Sequence, residues 1–292
     1  MAASIDQAFV YEFSNSVWHN GQQKESRAMP CVSLKYGTAD RFHWETLTNA
    51  EMTAKGSRLL ATALTTVTHA KRYAAMSTFY WSEALDHNDA AKILIDPRSE
   101  YAKAGAMAWG RRIDDTILTA ATAAAGTGLG GSSTTALPAG QQIGGTGGAT
   151  GAGQKLTVGG LRKAKQLMDE AEVDEERYLF LSAKFLQDLL AVTEVVSSDY
   201  NTVKALVQGE VDTFLGFKFI RTERIVTNTG NRKWVIAAAK GSIGLGIAQG
   251  DMVRVAEDPA ASFALRVYLE RTLGAVRVED KGVVALDCDT TA

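Results

Sequence analysis

The feature that most constrains the fold is a long amphipathic stretch between Leu85 and Ala121. The pair Asp96-Pro97 is a typical helix start, because aspartate caps the first turn and proline is favoured at the first helical position. We predict one helix from Pro97 to Ala124, about 42 Å long, with Gly126 as its C-terminal cap. Its apolar residues recur three and four positions apart on one stripe, at Ala102, Ala106, Trp109, Ile113, Ile117 and Ala120.

The opposite side of this helix is charged. Arg111 and Asp115 lie four residues apart, as do Arg112 and Thr116, and this spacing predicts pairs within the helix or salt bridges between subunits. The adjacent carboxylates of Asp114 and Asp115 point about 100° apart and do not form an acid–base pair. We expect them to form salt bridges on the helix face instead, within the subunit or with a neighbouring one. A long, half-exposed helix without a catalytic group indicates a structural element of an assembly.

The composition excludes several classes of protein. A chain of 292 residues is long enough for one large domain or two modest ones. A formal net charge of −2 argues against a dedicated nucleic-acid binder, which usually concentrates basic residues on one face. The first residues have neither the basic nor the apolar region of a signal peptide, and no apolar run is long enough for a membrane span. We therefore expect no membrane partner.

Motifs for metal binding or catalysis are missing from the sequence. Cys31 and Cys288 have no CxxC or Cys/His spacing around them, so we expect no metal site. Two free thiols are the main expectation, and a disulfide between the termini or between neighbouring subunits is the alternative. The four histidines are scattered, and the sequence has no GxSxG nucleophile motif. We expect no catalytic residues and no cofactor.

Neither of the two glycine groups in the sequence indicates a nucleotide site. Residues 126–131 match GxGxxG formally, but a dinucleotide site needs a strand before the motif and a helix after it. Gly244, Gly246 and Gly250 lie among strand residues, where glycine is typical of close packing or of a bulge.

The chain before the long helix reads as an arm and a hairpin. In residues 1–30, Phe9 and Phe13 begin a weak helical stripe, which fits either an arm that a partner orders or a frayed terminus. Alternating apolar residues predict strands over 31–48 and 59–81. The polar loop between them contains Lys55, so the pattern predicts an extended hairpin whose open edges need cover.

The chain after the long helix reads as a flexible loop followed by mixed helices and strands. Residues 126–156 are rich in glycine and short of apolar residues, which predicts a structureless loop. Thr157 is a candidate helix cap, and the last 25 or so residues read as three short strands turned at Leu273-Gly274 and at 280–282. Other elements are expected near 157–168, 178–182, 183–192, 203–208, 217–219, 234–239, 242–248 and 252–257.

Three segments in order resemble the major capsid proteins of tailed bacteriophages with the Hong Kong 97-type fold. They are LDHNDAAKILIDPRSEYAKAGAMAWGRRIDDTILTAA, GEVDTFLGFKFIRTERI and AQGDMVRVAEDPA. The resemblance implies an α+β fold with an N-terminal arm, an extended loop (the E-loop), a spine helix, an α/β axial domain and a peripheral domain. The implied parts are the arm 1–30, the E-loop hairpin 31–81, the peripheral domain with the spine helix 82–125, the flexible loop 126–156, the axial domain 157–254 and the return to the peripheral domain 255–292.

The resemblance also implies a function. Such a protein forms hexamers and pentamers of the icosahedral head shell around double-stranded DNA, assembles in the host cytoplasm and is not an enzyme. It implies a separate scaffolding protein, a portal, decoration proteins and non-specific contact with the packaged DNA. The E-loop tip, near 49–56, would lie over an adjacent subunit. The residues expected at assembly contacts are Arg111, Arg112, Asp115, Lys55, Phe9 and Phe13.

Two other functions fit parts of the sequence. An encapsulin-like cellular compartment would share the fold and would enclose cargo enzymes instead of viral DNA. A soluble α/β enzyme would use the glycine-rich segment 126–156 as a lid, but it would need converging titratable residues that the sequence does not show.

Overall fold

A computed structural model describes residues 22–58, 64–85, 97–151, 154–191, 213–248, 252–259 and 262–291. Within these ranges the chain forms three α-helices and fifteen strands, and the strands are arranged in three sheets. The elements are β1 (Ser33–Gly37), β2 (Arg41–Leu47), β3 (His69–Ala75), β4 (Ser77–Leu85), α1 (Pro97–Thr122), β5 (Ala125–Thr127), β6 (Ser133–Thr135), β7 (Gln142–Gly144), α2 (Val158–Glu170), β8 (Arg177–Leu181), α3 (Ala183–Leu190), β9 (Thr213–Phe214), β10 (Phe217–Arg221), β11 (Arg232–Ala239), β12 (Ile243–Ala248), β13 (Met252–Asp258), β14 (Ala264–Arg277) and β15 (Val283–Asp289).

The main core surrounds a six-stranded sheet of order β7-β15-β11-β8-β10-β9. The residues Val235–Ala239 of β11 are all buried, so both faces of this central strand are covered. Helix α2 packs Leu161 and Met168 into the core, and Phe185 of α3 joins them. Thr157 caps α2 as predicted, because its hydroxyl accepts a hydrogen bond from the Gly160 amide.

A second sheet has the order β1-β12-β14-β13, with β4 also paired to β14. Helix α1 lies against this sheet and buries Ile113 and Ile117. Gly105 permits the close approach, because a Cβ atom there would lie 2.1 Å from Leu269 Cδ1. The helix therefore packs along one face of this sheet.

Strand β14 corrects one prediction. The sequence suggested a turn at Leu273-Gly274, but β14 runs without interruption through both residues. A Cβ atom at Gly274 would lie 2.2 Å from the carbonyl oxygen of Ala75. The glycine therefore permits another backbone to approach β14, and it does not turn the chain.

The helix end and the glycine-rich segment correct two more predictions. Helix α1 ends at Thr122, and Gly126 lies in β5 instead of capping the helix. The segment 126–156 is not structureless, since β6 and β7 lie within it and Leu156 is fully buried. Strand β7 pairs in parallel with β15 at the edge of the six-stranded sheet. The small residues gain order by pairing their backbones with this sheet, which composition does not reveal.

The remaining predicted elements lie close to their expected places or outside the described residues. The strands and helices expected within 178–192, 217–219 and 234–257 are β8, α3, β10, β11, β12 and β13. The helical turn at 203–208, the predicted helix cap Asp96, Gly250 and the arm through residue 21 lie outside the described ranges.

Candidate assembly site: a projecting hairpin and its mount

The hairpin consists of β2 and β3, which pair antiparallel from Arg41↔Ala75 to Leu47↔His69. The predicted hairpin over 31–81 was too wide, because β1 and β4 pair with β12 and β14 of the second sheet. Residues 48–58, including Lys55, are exposed beyond the end of β2. The outer part of the hairpin thus projects into solvent.

The base of the hairpin sits in a pocket of glycines, which we call the glycine socket (Gly244 and Gly246 of β12). Phe42 and Trp44 are the buried residues of β2, whose other side chains alternate towards solvent. A Cβ atom at Gly244 would lie 2.4 Å from the Trp44 ring, and one at Gly246 would lie 2.4 Å from the Phe42 ring. Each aromatic ring therefore occupies the space of a missing side chain, which confirms that these glycines serve close packing.

The backbone of β3 makes similar approaches to its neighbours. Its Tyr73 carbonyl oxygen lies 2.7 Å from where a Cβ atom of Gly126 would stand. The apolar contacts around the base form a separate small cluster of Phe42, Trp44, Ala74, Ala125 and Val276. The hairpin is therefore joined to the body through shape complementarity over a small apolar area.

A polar network also joins the hairpin to the body. Together with the glycine socket and the small apolar cluster, it forms what we call the mount of the hairpin. We call the network itself the polar lock (Arg72, Asp280 and Arg277). The fully buried Arg277 donates from Nε to Asp280 at 2.7 Å, and Arg72 Nη2 of the hairpin donates to the other oxygen of Asp280, also at 2.7 Å. One carboxylate thus binds two guanidinium groups, and it links the hairpin to β14.

Arg277 also fixes the end of the long helix. Its guanidinium donates to the carbonyl oxygens of Ala121 and Ala123 at 3.2 and 2.6 Å, and to that of Thr135 in β6 at 3.0 Å. Carbonyl groups at a helix C-terminus carry partial negative charge, which suits a cation. Arg277 therefore holds the helix end, the glycine-rich segment and Asp280 in one arrangement.

Asp114 on α1 binds the segment that precedes β1. Its carboxylate is buried and accepts hydrogen bonds from the Ser26 hydroxyl at 2.6 Å and from the Arg27 and Ala28 amides at 3.1 Å. Gly110 provides the space, since a Cβ atom there would lie 3.0 Å from the Glu25 carbonyl carbon. The prediction of a salt bridge at Asp114 within the subunit was wrong, because its partners are backbone amides and uncharged side chains.

The other predicted contact residues of α1 also find partners within the chain. Arg111 donates to the Gln22 side chain at 2.5 Å, and Asp115 accepts from Arg224 at 2.6 and 2.9 Å. The predicted pair of Arg111 with Asp115 is thus wrong, since partners from other elements replace it. The Arg112 guanidinium lies 3.8 Å from the centre of the Phe79 ring.

The predicted thiols are free and buried. Burial raises the pKa of the Cys31 thiol from 9.0 to about 12. Burial, together with the charges of Asp287 and Asp188, raises the pKa of the Cys288 thiol still further above its ordinary range. Both sulfur atoms are therefore neutral and inert at physiological pH.

The remaining expectations concern the arm, a metal site and a membrane span. Phe9 and Phe13 lie outside the described residues. In the part of the chain that the structure describes, no three His, Cys, Asp or Glu side chains are grouped so that they could hold a metal ion. None of the described helices combines the length and apolar character that a membrane span requires.

The fold is that of the shell subunits of phage heads. It matches the "Capsid of Ralstonia phage GP4" with a TM-score of 0.76 and 9% identity, over 99% of this chain and 97% of that chain. It matches the "Cyanophage Pam1 capsid asymmetric unit" with a TM-score of 0.73 and 15% identity, over 99% of each chain. For "Mycobacterium phage Che8" the TM-score is 0.70 and the identity 15%, over 97% of this chain and 98% of that chain.

Sequence comparison identifies the family. The profile for phage capsid protein matches residues 5–290, and the chain belongs to this family. No curated protein matches the sequence. The predicted α+β fold of Hong Kong 97 type is confirmed, and so is the function as a major capsid protein, which is a structural component of the virion.

Proposed function

We propose that this capsid protein forms hexamers and pentamers that close into an icosahedral shell around double-stranded DNA. The observation that supports the proposal is the projecting hairpin, whose outer residues 48–58 are exposed in the isolated chain. Within the described residues, β2 is the outer strand of the sheet β2-β3-β5-β6, and an unpaired strand edge of this kind invites association. A neighbouring subunit would cover it in a shell.

The finer parts of the proposal concern partners. The chain would assemble in the host cytoplasm with a separate scaffolding protein, a portal and decoration proteins. A net charge of −2 suits a wall that holds DNA without gripping it, since tight phosphate contact needs many lysines and arginines. The domain boundaries given above are part of the same proposal.

The proposed assembly contacts are those that project from the body. Lys55 is exposed beyond the hairpin strands, and Phe9 and Phe13 belong to the proposed arm. Arg111, Arg112 and Asp115 have partners within the chain, so we propose that they act on assembly by fixing the segment before β1 and the surface of α1.

Electron microscopy of the purified full chain tests the proposal. We expect shells, or separate hexamers and pentamers, with or without a co-expressed scaffolding protein. A variant in which residues 49–57 are replaced by a short glycine-serine linker should keep the thermal unfolding of the body and lose shell formation. A uniform monomer or dimer of the unaltered chain under all conditions would contradict the proposal.

A further inference from the structure

The hairpin meets the body through contacts of two different kinds. The glycine socket accepts two aromatic rings, which settles where the hairpin sits. Apolar contact has little directional preference, so the small cluster at the base fixes the position of the hairpin more than its angle. Single hydrogen bonds from the Trp44 indole to the Ser33 hydroxyl and from Lys35 to the His43 carbonyl, and the pairing of Tyr73 with Gly126, also join the hairpin to its neighbours. The polar lock adds hydrogen bonds, whose strength depends steeply on angle. The two kinds of contact therefore have different effects on the hairpin.

We propose that Arg72, Asp280 and Arg277 are positioning residues, which set the angle of the hairpin and through it the geometry of the assembled shell. Arg277 is held by three backbone carbonyls and presents Asp280 in a fixed orientation. Asp280 then holds Arg72, which lies opposite Trp44 in the hairpin. The lock thus ties the hairpin to the helix end by an unbroken chain of hydrogen bonds.

The energetics favour a role in orientation over one in stability. The Arg72 and Asp280 side chains are only 14% and 18% exposed, and burying such charges costs much of what their attraction returns. Arg72 also keeps one buried nitrogen, Nη1, without a hydrogen-bond partner. Apolar side chains would fill this site at lower cost, but they would not define an angle.

The length of the hairpin amplifies small rotations. Beyond Trp44, which lies opposite Arg72, β2 continues for three residues to Leu47, about 10 Å at the usual rise of a strand, so a 10° rotation about the lock moves Leu47 by about 2 Å. Subunits with different hairpin angles would therefore close into shells of different curvature, and this part of the inference rests on the proposed function.

The first experiment measures the angle directly. Spin labels at Leu47→Cys on the hairpin and Gln166→Cys on α2 report one distance, and both positions are exposed. The buried native thiols stay unlabelled. Arg72→Met removes the hairpin's link and keeps the pair of Asp280 with Arg277, so we expect the distance distribution to broaden by about 2 Å. Arg72→Lys, which can restore the ion pair, should narrow it again.

The second experiment measures the diameters of assembled particles by electron microscopy. We expect Arg72→Met and Asp280→Asn to give several particle sizes where the unaltered chain gives one. The matched control is Asp287→Asn, which removes a buried charge paired with Arg232 in the six-stranded sheet. It should lower the melting temperature and leave the particle diameter unchanged.

The outcomes separate the two proposals. An unchanged distance distribution and unchanged diameters in Arg72→Met would overturn the positioning role. If the unaltered chain forms no shell at all, the proposed function fails, and the spin-label distances still decide whether the lock sets the angle. If Asp280→Asn does not fold, Arg72→Met alone carries both measurements, because it leaves no buried charge unpaired.

Discussion

The six-stranded sheet and the mount of the hairpin hold their parts in place by different means. In the sheet, β11 is buried along Val235–Ala239, and a large continuous core surrounds it. The mount holds the hairpin with five buried apolar residues, two glycines beneath aromatic rings and one carboxylate that two arginines share. Large apolar area gives stability, whereas a few exact contacts give direction. Damage to the two regions should therefore have different consequences.

The largest expected effect comes from a large-to-small substitution in the core of the six-stranded sheet. Phe180 is fully buried in β8, and Phe180→Ala should lower the free energy of unfolding by about 3–5 kcal/mol through lost burial and a residual cavity. Denaturant unfolding of the dissociated subunit measures this. Tyr80→Ala is a control, because this aromatic side chain is 71% exposed. A small loss in Phe180→Ala would show that the sheet does not carry the stability.

The next effect tests the glycine socket. Gly246→Val places methyl groups where the Phe42 ring lies, and overpacking of this kind costs about 1–3 kcal/mol. We expect the hairpin to leave its seat, so a protease should cut within 41–75 faster while the amide exchange of β11 stays slow. The control is Gly140→Ala, because a Cβ atom at Gly140 would have open space around it. Gly241→Ala would not serve as a control, because the φ of Gly241 is +82° and an alanine there would be strained. Equal cleavage of Gly246→Val and Gly140→Ala would contradict the prediction.

A third effect separates two neighbouring carboxylates. Asp114→Ala leaves the Arg27 and Ala28 amides without their acceptor and should cost about 1–3 kcal/mol. Asp115→Ala removes a partly exposed ion pair with Arg224 and should cost about 0–1 kcal/mol. Thermal unfolding of both variants makes the comparison. A larger loss in Asp115→Ala would reverse our assignment of the two roles.

The smallest effect concerns the buried thiols. The folded-state pKa of Cys31 is raised, so its contribution to stability is fully present below pH 9 and is lost as the pH rises from about 9 towards 12. At pH 8 the native chain should not react with an aromatic disulfide reagent over hours, and it should release two equivalents of thiolate colour after unfolding. Rapid reaction of the native chain would show that the core around Cys31 opens readily.

The sequence predicts those parts of the fold that depend on local pattern. The proline start and the apolar stripe reveal α1, and alternation reveals β2 and β3. The sequence does not show that β7 lies in the main sheet, because the order of this segment comes from β15, more than a hundred residues away. Local pattern likewise does not separate a glycine that turns the chain from one that makes room, as Gly274 shows.

The candidate site is harder to predict for the same reason. Arg277 and Asp280 look like ordinary surface charges in the sequence, and their partners in β3, α1 and β6 lie far from them along the chain. Asp114 looks like one member of a charged helix face, yet backbone amides of the preceding segment surround it. The only sequence signal for the mount was the alternation of glycine with larger residues in β12.

That alternation restricts how the gene for this chain can change. Gly244 and Gly246 face the hairpin rings, while Leu245 and Ile247 between and after them enter the main core. A deletion of one codon in β12 would exchange the two faces, placing leucine or isoleucine beneath the aromatic rings and glycine in the core. We therefore expect substitutions in β12 that keep side-chain size to be tolerated, whereas the insertion or deletion of one residue should prevent folding.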